Sequence, residues 1–232
     1  MAWTNGYRLI SNTGTWLEFF NAVKSAMQEN TGYNIINDDT EYSFTIDFGN
    51  GFTCVVSDSV ITDESIATRS NSLKLMIYQN SVLKNSITIS YGGNSAQTEN
   101  TTRTISIFTY SNDKIKILGI DQYNSSIPYI QLSSRSFIEC RYKDIATSEE
   151  KNIFKIHNTT MHDLNGNNLV WTTTFSKASN GIVLLNELIT QGSEIAGYLP
   201  DIYNCTTIQH YSHYMINNQK YYSIDQNLLV KE

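Results

Sequence analysis

Charged residues make up only 16% of this 232-residue chain, well below the roughly 25% of an ordinary soluble domain. No cluster of Lys or Arg appears, and the formal net charge is −6. That balance gives no electrostatic footprint for nucleic acid or anionic lipid. Proline occurs twice and cysteine three times. Cys54, Cys140 and Cys205 are isolated and odd in number, so they read as small buried hydrophobes in a reducing compartment and not as a disulfide framework. No apolar run approaches the roughly 20 residues of a membrane-spanning helix. The opening MAWTNGYRLISNTG lacks the basic and continuous apolar regions of a signal peptide. The expectation is a soluble protein without a membrane span, made in the cytoplasm.

What is present is aromatic and polar without charge. Aromatics reach 12%, with 15 tyrosines, and hydrophobic residues 40%. A chain of this length and content buries a real core, and Asn, Ser, Thr and Gln carry its polar surface. Such surfaces face other proteins or sugars.

One helix is expected near the N-terminus, from Thr15 to Asn30. Thr15 and Glu18 have the spacing of a capping box, in which hydroxyl and carboxylate satisfy backbone donors reciprocally. Trp16, Phe20, Val23 and Met27 form a single apolar stripe, widened by Phe19 and Ala26. Asn30-Thr31-Gly32 ends it.

From Tyr33 the period becomes two. Tyr42, Phe44, Ile46 and Phe48 alternate with polar residues, Asn50-Gly51 supplies the turn, and Phe52, Cys54 and Val56 resume the alternation. Leu73–Tyr78 and Ser86–Ser90 read as strands, and Tyr91 to Thr102 as a loop. Arg103–Tyr110 and Ile115–Ile120 flank a turn at 111–114. Pro128 marks a strand edge or start, because it cannot donate to a ladder. Ser136–Tyr142 is a strand, and 146–151 a polar turn. Asn152–Asn158 and 169–175 are strands around a turn at 162–166. Gly181–Leu188 is strand or short helix. The fold class is mainly β, of antiparallel sandwich-like sheets with one N-terminal amphipathic helix. One domain spans the chain.

The C-terminal segment from Tyr198 to Lys231 is dense in tyrosine. Leu199-Pro-Asp201 reads as its entry. A hairpin turns at Asn217-Asn218, between 211–216 and 220–224, and Leu228–Val230 closes the chain as a short strand. Tyrosine joins a large apolar area to a polar tip, which suits wet interfaces. The candidate interface residues are Trp16, Phe20, Tyr198, Tyr203, Tyr211, Tyr214, Tyr221 and Tyr222. Core packing is the alternative use of the same side chains.

Reaction chemistry finds no frame. His210 and His213 lie three apart, and His157 and His162 five apart. On a strand, residues three apart face opposite ways, and no spacing of a zinc motif supports either pair. No nucleophile elbow or phosphate loop occurs. Asp38-Asp39 and Glu149-Glu150 read as solvated turn carboxylates. The expectation is no enzyme, no cofactor and no metal.

At Trp16-Leu-Glu-Phe-Phe and Tyr198-Leu-Pro-Asp-Ile-Tyr the chain resembles minor virion structural proteins of tailed bacteriophages. These open with an amphipathic helix and close with an L-P-D-I segment, a hairpin and a short apolar strand. The matching pieces here are Tyr214-Met-Ile-Asn-Asn-Gln-Lys-Tyr-Tyr222 and Asn227-Leu-Leu-Val-Lys231. The resemblance covers the two ends and implies a virion component of tail, baseplate or neck. Its partners would be other virion proteins and further copies of itself in a symmetric particle. A second expectation is a carbohydrate- or receptor-binding sandwich of a tail fibre, whose partner would be a host glycan.

Overall fold

The computed structural model describes residues 5–30, 32–36, 42–58, 72–91, 101–126, 130, 136–156, 161–172, 185–205, 208–225 and 228–232. The expectations for Pro128, His157, Asp38-Asp39, most of the loop before residue 101, and 181–184 lie outside them. The chain is mainly β, with antiparallel strand pairings and one helix among the described residues. It divides into two compact units. The first is Met1–Thr109 with Leu118–Ile130, and the second is Tyr110–Ile117 with Gln131–Glu232.

The first unit begins with β1 (Gly6–Gly14), a strand the composition of its segment did not announce, followed by α1 (Trp16–Gln28). The capping box forms as expected: Thr15 Oγ1 accepts from Glu18 N at 3.3 Å, and Glu18 Oε2 accepts from Thr15 N at 2.7 Å. Two extra backbone donors are thereby satisfied at the helix start. The stripe predicted from spacing is the buried face, with Trp16, Phe19, Phe20, Val23 and Met27 all buried. At the other end Asn30 N donates to Met27 O, and Asn30 Oδ1 accepts from Gly32 N.

Then come β2 (Asn34–Ile36), β3 (Ser43–Gly49), β4 (Phe52–Asp58), β5 (Ser72–Gln79) and β6 (Val82–Ser90), which pair in that order as one sheet. Asn50 and Gly51 take φ of 51° and 77°, so the β3–β4 hairpin turns where the sequence placed it. Phe20 meets Phe44 edge-on at 5.8 Å, tying the helix to β3. Each such buried Phe contributes about 1.5–3 kcal/mol through its apolar area. β5 and β6 are the two strands expected here, and the second is longer than expected. β6 starts at Val82, and Asn80 and Ser81 turn the hairpin with φ of 49° and 66°. The first unit also holds most of β7 (Thr101–Ser111) and the end of β8 (Ile115–Gln122). β1 pairs along its whole length with β7, from Gly6 opposite Thr109 to Gly14 opposite Thr101.

The second unit contains β9 (Ser136–Asp144), β10 (Glu150–Ile156), β11 (Met161–Asp163), β12 (Asn168–Thr172), β13 (Leu185–Gln191) and β14 (Glu194–Asn204). These pair in sequence order, and β14 pairs back onto β9 through Gly197 opposite Asp144 and Tyr198 opposite Lys143. The six strands thus close a barrel, which removes their edges. The turn expected at 162–166 is shifted. Met161 to Asp163 is a strand, and the bend is Leu164–Asn167, with Gly166 at φ 87°. Asp163 Oδ1 organises it by accepting from Asn165 N and Asn167 N. Of Gly181–Leu188, residues 185–188 are strand.

Pro200 lies inside β14, where the ladder changes hands. Gly197 and Tyr198 pair with β9, while Ile202, Tyr203 and Asn204 pair with β17 (Leu228–Lys231). Between them the register against β13 shifts. A residue with no N–H is tolerated where one neighbour has ended and the next has not begun. Beyond β17 the order continues through β16 (Gln219–Asp225) to β15 (His213–Ile216). The hairpin turns at Asn217 and Asn218, with φ of 50° and 62°, as the sequence predicted.

Candidate functional site

Of the eight candidate interface residues, four are consumed by the protein's own packing. Trp16 opens α1 with 1% of its surface exposed. The Arg103 guanidinium stands 5.7 Å above its ring, and Phe19 and Tyr91 flank it at 5.5 and 6.0 Å. Phe20 is buried against Phe44. Tyr221 and Tyr222 are also buried, although they are consecutive on β16 and so point to opposite faces. Both faces of β16 are therefore covered at these two residues.

On one face, Tyr221 packs with Cys205 and Leu229, and Tyr203, Tyr214 and Ile216 lie against that cluster. Tyr203 meets Tyr221 edge-on at 5.7 Å. On the other, Tyr222 stacks on Tyr110 at 5.2 Å and meets the His213 ring at 5.0 Å. Burial pushes the Tyr222 hydroxyl up to about 12, with Glu232 adding to the effect. The hydroxyl is a neutral donor at physiological pH, fit for packing and hydrogen bonding.

Tyr198, Tyr203, Tyr211 and Tyr214 are half-buried. Tyr211 sits at φ 54° in the turn before β15, and its N–H donates to Ser223 O. Tyr214 accepts from Gln209 N at 2.8 Å. These four keep some surface for a partner. The three cysteines are free and buried, and burial raises the thiols of Cys54 and Cys140.

His210 lies in a turn and His213 begins β15, so the two do not share a strand. His213 Nδ1 is 3.0 Å from Glu232 Oε2, which also holds Lys220 Nζ at 2.8 Å. Among the described residues no group of three His, Cys, Asp or Glu side chains is placed to hold a metal ion. Nor is any helix among them long and apolar enough to cross a membrane.

A second site was not legible as such in the sequence. A pocket of about 470 Å³ opens on the second unit, walled by Arg141, Glu150, Lys151 and Asn152. Asp163, Leu164 and Asn165 of the β11–β12 bend complete it. The antiparallel register sets Arg141 opposite Asn152 and Tyr142 opposite Lys151. Glu150 stands 3.7 Å from Arg141 and 3.4 Å from Lys114, which in turn lies 3.4 Å from Asp201. Lys151 is held by Asp144, whose carboxyl also accepts from Ala146 N and Thr147 N. Those donors hold the Asp144 carboxyl down at about 2, the Lys151 hydrogen bond most of all. Residues 141–152 read as a strand end, a polar turn and a strand start, with nothing that announces a pocket; the β9–β10 and β10–β11 hairpin pairings bring Arg141, Asn152 and the 163–165 bend together.

Compared with protein-family models, curated proteins and solved structures, the chain matches no family, no curated protein and no solved structure.

Proposed function

We propose that this protein is a structural subunit of a tailed-bacteriophage virion, in the tail, baseplate or neck, and that it joins its neighbours through the C-terminal hairpin. The observation that carries the reading is β15. It ends the strand order of its unit, and its residues are His213, Tyr214, Met215 and Ile216. An edge strand is ordinarily guarded by lysine, acidic residues, proline or a bulge, because its unpaired backbone groups recruit other strands. β15 has none of these, and its four-residue length is the one restraint on pairing among the described residues. Its exposure alternates, and Met215 is 69% exposed.

An unguarded edge is extended by a strand from another chain, with main-chain hydrogen bonds giving affinity and alternate side chains giving specificity. Two copies related by a two-fold axis at Met215 would set Met215 opposite Met215 of the second copy and Tyr214 opposite its Ile216, an aromatic–β-branched cross-strand pair. The half-buried tyrosines around it widen the contact. The resemblance of both chain ends to minor virion proteins, and the low charge content, support the same reading.

The test is sedimentation of the purified chain at high micromolar concentration, alongside mass spectrometry of purified virions. Self-association that Met215→Lys abolishes, and several copies per particle, are the expected results. A monodisperse wild-type monomer, or absence from the particle, would overturn the reading.

A further inference from the structure

The pocket on the second unit is not used by the assembly reading, and its chemistry points elsewhere. Three groups on its wall have hydrogen-bonding capacity that no described residue takes up. The side-chain amides of Asn152 and Asn165 make no hydrogen bond there. The Arg141 guanidinium has only the ion pair with Glu150 at 3.7 Å, too long for a hydrogen bond. Each of the three is planar and presents donors, or a donor and an acceptor, side by side. Leu164 stands over the rim with 46% of its surface exposed.

The charges around the pocket decide what kind of ligand fits. The lining carries two cations, Arg141 and Lys151, against two anions, Glu150 and Asp163, and each cation is already paired, with Glu150 and with Asp144. The balance gives no attraction for a phosphate or carboxylate. A metal ion is equally unsuited, because both Asp163 oxygens already accept N–H groups of their own turn and Glu150 faces two cations. What remains is a neutral ligand with several hydroxyls and one apolar face.

We infer that this pocket binds a neutral hexopyranose, as a free sugar or as the end of a glycan. Adjacent ring hydroxyls each donate and accept, so they pair with a planar amide or guanidinium through two parallel hydrogen bonds. Asn152 and Arg141 are cross-strand partners, so one such pair of hydroxyls meets both. The C–H face of the ring lies on Leu164. The volume of about 470 Å³ falls within the range of small-molecule sites. Rigid strands hold the donors, and the bend carrying Asn165 is fixed by Asp163.

The experiment is a titration of the isotopically labelled whole chain with glucose, galactose, mannose and N-acetylglucosamine, followed by nuclear magnetic resonance. The expected result is a saturable, millimolar shift of the Asn152 and Asn165 side-chain amide signals and the Arg141 Nε–H signal with at least one sugar. Asn152→Ala and Arg141→Met should each weaken that binding at least tenfold while the backbone spectrum away from the pocket stays unchanged. Inorganic phosphate is the second probe. Shifts from phosphate alone make the pocket an anion site and overturn the inference. So does the absence of any saturable shift, or binding that survives both substitutions.

Discussion

Gly197 of β14 lies so flush against β9 that a Cβ built on it would collide with the backbone carbonyl of Lys143 and the ring of Tyr142. This is the seam at which the barrel closes, with Gly197 paired to Asp144. The obstructing atom is main chain, so nothing can swing aside. Gly197→Ala should cost roughly 1–3 kcal/mol, the usual penalty for overpacking a close contact. Gly166→Ala provides the contrast, since a Cβ there meets nothing within 4 Å and only the φ of 87° resists it. Urea unfolding of both variants checks the order. Equal losses would mean that the seam has room to give.

Acid should weaken the second unit through Asp144. Its carboxyl ionises near pH 2, below the ordinary value of 3.8, because Lys151 and the Thr147 and Ala146 amides favour the charged form. A depressed carboxyl stabilises the fold at pH values above the unfolded-chain value, and that contribution is lost as pH falls through the folded value. The loss should therefore fall between about pH 4 and pH 2. Asp144→Asn should lower the denaturation midpoint at neutral pH and flatten its dependence across that window. A variant with the wild-type acid limb would show that other carboxylates set it.

Ser81 occupies a left-handed position, φ 66°, in the two-residue turn between β5 and β6. A residue with a Cβ there costs roughly 1 kcal/mol, which glycine avoids. Ser81→Gly should raise stability by about 0.5–1 kcal/mol in thermal unfolding, part of the gain being offset by the greater freedom of glycine in the unfolded chain. A loss would indicate that the serine side chain contributes more than the backbone strain removes.

The same residue illustrates what the sequence makes legible. Asn50-Gly51 announces a hairpin because both residues favour positive φ, and the hairpin is there. Asn80-Ser81 makes the same turn with a poorer second residue, so periodicity alone marks the two strands and starts the second at Ser86, four residues late. Thr15 and Glu18 fix a helix start within four residues, and the Trp16–Met27 stripe fixes its buried face. Those are local signals. The β9–β14 closure and the handover at Pro200 depend on pairings between distant segments, the pocket wall on how two adjacent hairpins pack, and two of the three passages between the units run inside β7 and β8, where no linker marks them. Four of the eight candidate interface residues proved to be core because aromatic content does not tell the inside of a sheet from its outside.

Leu229 is where the C-terminal hairpin is anchored. β17 runs between β14 and β16, and Leu229 is fully buried against Cys205 and Tyr221. Tyr203 and Ser223 are its partners on the two sides. Leu229→Ala removes the centre of that cluster, at a cost of about 2–5 kcal/mol for a buried leucine. The hairpin reaches the barrel strands through β17, so the loss should be local. Hydrogen exchange should accelerate in β15, β16 and β17 while Ile153 and Cys140, paired across β10 and β9, remain protected. Because β15 is the proposed edge for a neighbour, the variant should also lose self-association before it loses its barrel. Uniform acceleration through both groups would show instead that the hairpin and barrel unfold as one, and that β17 is part of the barrel's own stability.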